Sequence, residues 1–195
     1  VPKNWDKVAY PSLKPLAAWY NDLQERVVFM DDWLKNGSPK SFWISGLFFP
    51  QGFLTGCLQT HSRLYKIPID KLQFSFQIME AENIEDIEET PEDGVYVHGF
   101  FMDGARYNRD DGVIDDQHPA ELYSKMPLIW FKPVVDYKRE EDDYACPCYK
   151  TGKRQGVLST TGQSTNFIIH VDIPTKVQPA QWVRRAAAML CMLND

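Results

Sequence analysis

Residues 94–107, GVYVHGFFMDGARY, constrain this protein more than any other stretch. Eight acidic residues lie between Glu80 and Asp93, and at Gly94 the character changes abruptly. From 95 to 102 every residue except His98 and Gly99 is apolar, and β-branched and aromatic types dominate. Such a run predicts a strand buried on both faces or nearly so, and therefore the centre of a sheet. Gly99 within it predicts a bulge or a close backbone approach. Asp103-Gly104 predicts a hairpin-type turn, since glycine tolerates the positive φ such turns need.

Two helices precede this strand. Ser12 is placed as an N-cap, and Pro15 is tolerable in a first turn. Leu16, Trp19, Tyr20, Leu23, Val27, Met30 and Leu34 then recur at helical steps. They predict one apolar face, with Asp22, Gln24, Glu25 and Arg26 largely on the other side. Asn36-Gly37 and Pro39 stop the helix. Residues 41–49, SFWISGLFF, form a short apolar connector or strand. Pro50 opens a second helix, where its missing N–H costs nothing. Phe53, Leu54, Cys57, Leu58, His61, Leu64 and Tyr65 share a side of it, and Gly52 and Gly56 leave room for a neighbouring backbone. Ile67-Pro68 ends it.

Strands follow from about Lys71. Leu72, Phe74, Phe76 and Ile78 alternate with Gln73, Ser75 and Gln77, as in a half-exposed strand. Residues 80–93 read as a solvated acidic loop lacking the ligand spacing of a calcium site. Residues 108–112 form a second turn. Residues 127–135 (interrupted by Pro133), 144–151, 156–159 and 166–173 read as further strands. Many short strands separated by turn residues indicate an antiparallel sheet or small barrel. Residues 179–184 suggest a short helical turn, and 186–193, AAAMLCML, are ambiguous between helix and strand.

Composition limits the chemistry. A net charge of −6 over 195 residues argues against general nucleic-acid binding, which needs a basic stripe. No apolar run reaches the 18 residues of a membrane span. Four cysteines in a sequence this long make no disulfide framework and fit a reduced, intracellular setting. Val1 in place of Met implies a piece of something longer. No glycine-rich phosphate loop leads into Lys-Ser or Lys-Thr, so no nucleotide cofactor is expected here. Cys146 and Cys148 form C-x-C without a second pair, which disfavours a structural zinc. No catalytic residues are assigned. The weakest reading is a small-barrel hydrolase using His98 or His170, two strand histidines that would meet on one barrel face.

Residues 41–59, 94–107, 144–151, 158–174 (LSTTGQSTNFIIHVDIP) and 181–193 (QWVRRAAAMLCML) together resemble the extreme C-terminal domain of dynein heavy chains. Residues 10–33 fit the same region, and the STTGQSTNF stretch is similar to axonemal dyneins of the inner-arm group. Tyr107 stands where many relatives carry Trp, Gln163 where His is usual, and Ala186 where Gly is usual. The resemblance implies an α+β fold, with N-terminal helices (1–70) followed by an incomplete antiparallel β-barrel (71–195). It resolves residues 186–193 as a strand closing the barrel edge. It implies a non-catalytic module that lies on the AAA+ ring of its own heavy chain and modulates ATP-driven, minus-end-directed motility in cilia and flagella. ATP and Mg²⁺, the microtubule, and light and intermediate chains would be engaged by the parent motor, in the cytoplasm and axonemal cytoskeleton, with no nucleic acid and no membrane.

The alternative is an autonomous barrel that captures a peptide or accessory chain. The candidate interface is the ring cluster Phe42, Trp43, Phe48, Phe49 and Phe53, more rings than one connector and helix start can bury. The acidic loop is the second choice. Gly99 and Gly104 are the expected backbone-constrained positions.

Overall fold

The computed structural model describes residues 2–5, 7–10, 12, 14–81, 84–154, 156–157 and 165–193. Helix α1 runs Leu16–Asn36. It begins after Pro15, not at Ser12, whose hydroxyl instead accepts from the Lys14 N–H. A two-residue strand β1, Phe42–Trp43, and a 3₁₀ turn, Ile44–Gly46, make up the apolar connector. Helix α2, Pro50–Tyr65, starts on its proline and ends at Lys66 in the left-handed conformation, two residues before Pro68. Among the described residues no backbone packs on its glycines: the Phe49 ring covers Gly52, and Gly56 faces open space.

The remaining strands are β2 (Leu72–Ile78), β3 (Val95–His98), β4 (Phe101–Asp103), β5 (Arg106–Asn108), β6 (Val113–Asp115), β7 (Tyr123–Lys125), β8 (Ile129–Val135), β9 (Asp143–Tyr149), β10 (Phe167–Pro174) and β11 (Ala188–Leu190), with helix α3 (Pro179–Arg184) before the last. Gly156 and Val157 belong to no strand, and 158–164 lie outside the described residues. The four-stranded sheet has the order β1-β3-β8-β2, and the five-stranded sheet the order β10-β9-β11-β4-β7.

The central stretch explains how the two sheets are joined. Val97 faces Ile129, Phe100 accepts from the Met126 N–H, and Phe101 faces Lys125. The register is unbroken, so β3–β4 and β7–β8 form one antiparallel ribbon bent at Gly99. Each half of the ribbon belongs to a different sheet. Gly99 makes the bend at φ +91°, where a Cβ would sit 2.9 Å from the Trp43 ring. A one-sheet buried strand is thus corrected to a bent one, because the glycine corner turns a flat sheet toward closure. The Asp103-Gly104 turn is not a hairpin: β4 pairs with β11 and β7, while β5 pairs with β6 across the 108–112 turn.

Taken around the ribbon, the strands follow the order β10, β9, β11, β4 with β3, β7 with β8, then β2. The edges of β2 and β10 do not pair, and the barrel stays open there. Most pairings are antiparallel, but β1–β3 and β11–β9 are parallel. The fold is α+β, with helices first and mixed sheets that curl without closing. β11 is not an edge. It lies between β9 and β4, completely buried, at the middle of its sheet. Pro133 is accommodated in β8 because β3 reaches only as far as Phe131, leaving that side without a ladder bond to lose. One apolar core unites Ile44 and Leu54 of the helical region with Val97, Met102, Phe131, Val171 and Met189 of the strands.

Candidate docking surface

Helix α1 buries only part of the face that its periodicity predicts: Trp19 is buried, and Leu23 and Met30 are half-buried. Trp19, Asp22 and Arg26 are the buried residues, while Leu16, Tyr20, Val27 and Leu34 are exposed by 46, 48, 57 and 87%. These four fall within a narrow stripe on one side of the helix. The correction has a physical cause. Arg26 Nε donates to Asp22 Oδ2 at 2.7 Å, Lys14 Nζ to Asp22 Oδ1 at 2.7 Å, and the Tyr10 hydroxyl to Asp22 as well. The guanidinium also lies against the rings of Tyr10, Trp43 and Phe48, 4.9–5.6 Å from their centroids. A paired and ring-packed Asp–Arg couple can be buried, which frees the apolar stripe for something else. Burial pushes the Asp22 carboxyl upward, but bonds from Arg26, Lys14 and Tyr10 outweigh it and hold the group at about 2.

The five candidate rings divide. Phe42 is buried, and Trp43 and Phe53 are half-buried. Phe42 packs 4.9 Å from Trp33 and 4.7 Å from Phe53, and Trp43 meets Phe29 edge-on at 6.1 Å. These rings lock α1 and α2 onto the connector. Phe48 and Phe49 are 55 and 66% exposed. They and the α1 stripe are among the large apolar groups this end of the domain leaves in water, together with Val28 and Leu64. The stripe was present in the sequence, but nothing local showed that it would be exposed.

The histidines do not meet. His98 lines a groove along α1 beside Phe29 and Trp43, whereas His170 stands in a separate groove between β2 and β10. His98 Nδ1 and Ser41 Oγ are hydrogen-bonded at 2.8 Å. Burial, aided by Lys125, pushes its imidazole down to about 4, so it is neutral near pH 7. Cys146 and Cys148 alternate along β9 with both thiols directed into the core, and Cys148 Sγ lies 3.9 Å from Cys191 Sγ. Among the described residues no cluster of His, Cys, Asp or Glu assembles a metal site. Among them, too, no helix is long and apolar enough to cross a membrane. In the acidic segment the described residues include the 3₁₀ turn Ile84–Asp86 and the buried Ile87.

Two N-terminal helices on an open barrel of mixed sheets, with an apolar stripe exposed along α1, make up the described architecture. The protein belongs to the family of C-terminal domains of dynein heavy chains, whose profile matches residues 1–191. It is 47% identical over 195 residues to rat dynein axonemal heavy chain 12 and 47% identical over 195 residues to rat dynein axonemal heavy chain 1. It is 46% identical over 214 residues to human dynein axonemal heavy chain 6. Each match takes in 100% of the present sequence but only 4–6% of the relative.

Proposed function

We propose that this domain is a non-catalytic structural and regulatory module of an axonemal dynein heavy chain. It docks on the AAA+ ring of that heavy chain and tunes ATP-driven, minus-end-directed movement along microtubules in cilia and flagella. Residues 1–70 supply the docking helices and 71–195 the barrel that holds them. ATP and Mg²⁺ act elsewhere in the heavy chain, and light and intermediate chains are reached only indirectly.

The observation that carries this reading is the exposed stripe Leu16, Tyr20, Val27 and Leu34, with Phe48 and Phe49 exposed as well. Each large apolar side chain left in water forgoes roughly 1.5–3 kcal/mol of burial, so several together anchor a stable intramolecular interface. The test is a full-length motor bearing Val27→Glu and Leu34→Glu. ATPase rate and microtubule gliding velocity should change while the 195-residue domain keeps its unfolding midpoint. A motor indifferent to both substitutions would remove the α1 stripe as the docking face.

A further inference from the structure

The open seam between β2 and β10 is bordered by two strand edges. Tyr149 of β9 gives its carbonyl to the Cys191 N–H, just past β11. Odd-numbered residues of β9 therefore address β11, and Tyr144, Cys146 and Cys148 address β10, where they face Ile173, Val171 and Ile169. His170 and Asp172 of β10 consequently point their N–H and C=O groups away from β9, into the seam. Among the described residues nothing bonds those four backbone groups. On the far side, Met79 donates to Leu128 and Asp136 to Lys71, so odd-numbered residues of β2 address β8. Phe74 and Phe76 therefore present their backbone to the seam as well. A groove of about 540 Å³ lies between the edges, walled by Phe74, Phe76, Ile168 and Ile169.

The outer lip of the groove is acidic. Asp172 receives the Tyr137 hydroxyl at 2.9 Å and has Arg139 at 3.7 Å. Asp143 and Glu140 stand close by, and burial with these neighbouring carboxylates pushes the Asp143 carboxyl upward. The half-exposed Arg139 guanidinium does not by itself balance the carboxylates of Asp172, Asp143 and Glu140.

We propose that the seam takes an extended segment of another polypeptide, added as a strand to the edge of β10. Its alternate apolar side chains lie in the groove against Phe74 and Phe76, and a Lys or Arg lies on its outer face beside Asp172. Main-chain bonds to His170 and Asp172 supply the attachment, and the groove and the acidic lip supply the selectivity. This inference is independent of ring docking, which uses α1.

The experiment is a selection of random eight-residue peptides on the 195-residue domain, followed by a backbone N-methyl scan of the enriched peptide. Addition to one edge uses every second amide, so methylation should weaken binding at least tenfold at alternate positions and leave the others unchanged. Amide exchange at His170 and Asp172 should slow at least tenfold on binding. His170→Pro, which removes a seam-facing N–H and no bond to β9, should weaken binding tenfold. An empty selection, no alternation in the scan, or protection confined to another edge overturns the proposal. If His170→Pro does not fold, the scan and the exchange data decide alone.

Discussion

Arg26 and Asp22 form a buried ion pair one helical turn apart, 2.7 Å between Nε and Oδ2, on the side of α1 that faces the domain. The pair decides which way α1 faces. Removing one partner leaves the other charge buried and uncompensated, at a cost of roughly 3–5 kcal/mol. Arg26→Met should therefore destabilise far more than Val27→Ala on the exposed stripe, which should shift stability by less than about 0.5 kcal/mol. Urea midpoints of the two variants check this. Equal effects would mean that α1 is oriented by something else.

Acid should weaken the domain in two windows. His98 is held at about 4, below its ordinary 6.5, so between those values the unfolded state binds a proton that the folded state does not. Its contribution is complete above pH 6.5 and is lost as pH falls to 4, by roughly 2–3 kcal/mol. Asp22, lowered to about 2 from 3.8, adds a second loss at more acidic pH of the same sign. Unfolding free energy measured from pH 7 to 3 should fall throughout. In His98→Gln the drop between 6.5 and 4 should shrink to the part that comes from His170, whose imidazole burial also pushes down, and an undiminished drop would remove His98 as its source.

Gly104 has φ +75°, and a Cβ there would lie 3.1 Å from the Arg185 carbonyl oxygen. Gly104→Val should destabilise by more than about 1 kcal/mol, since a β-branched residue resists positive φ. An unchanged denaturant midpoint would show that the turn relaxes without cost.

Ala186 adopts φ +54°, the left-handed region that suits glycine. Its carbonyl accepts from Arg154 Nη1, which fixes the turn into β11. Ala186→Gly should raise stability by about 0.5–1 kcal/mol by relieving this strain. A lower thermal midpoint in the glycine variant would refute it.

β11 lies in the middle of its sheet although it comes last in the sequence. Deleting residues 188–195 should abolish cooperative unfolding, because β9 and β4 both lose their neighbour. A truncated protein that still melts cooperatively would show that the strand is dispensable.

The sequence by itself determined the elements. Pro50 set the start of α2, the alternation from Leu72 to Ile78 set β2, and the run through Gly99 set the spine of the sheets. These follow from local chemistry: proline's fixed φ, the two-residue period of a strand, and glycine's freedom at a corner. The family resemblance was also carried by the residues alone. The tertiary structure decided what those elements face. Periodicity ranks side chains by hydrophobicity and so put Leu16, Tyr20, Val27 and Leu34 inside and Arg26 outside. Only the meeting of Tyr10 and Lys14, from before the helix, with Trp43 and Phe48, from beyond it, around Asp22 and Arg26 made the charged face the cheaper one to bury. The placing of β11 between β9 and β4, the Ser41–His98 bond and the open seam beside His170 arise in the same way. Each depends on contacts between segments tens of residues apart, which leave no local pattern to read.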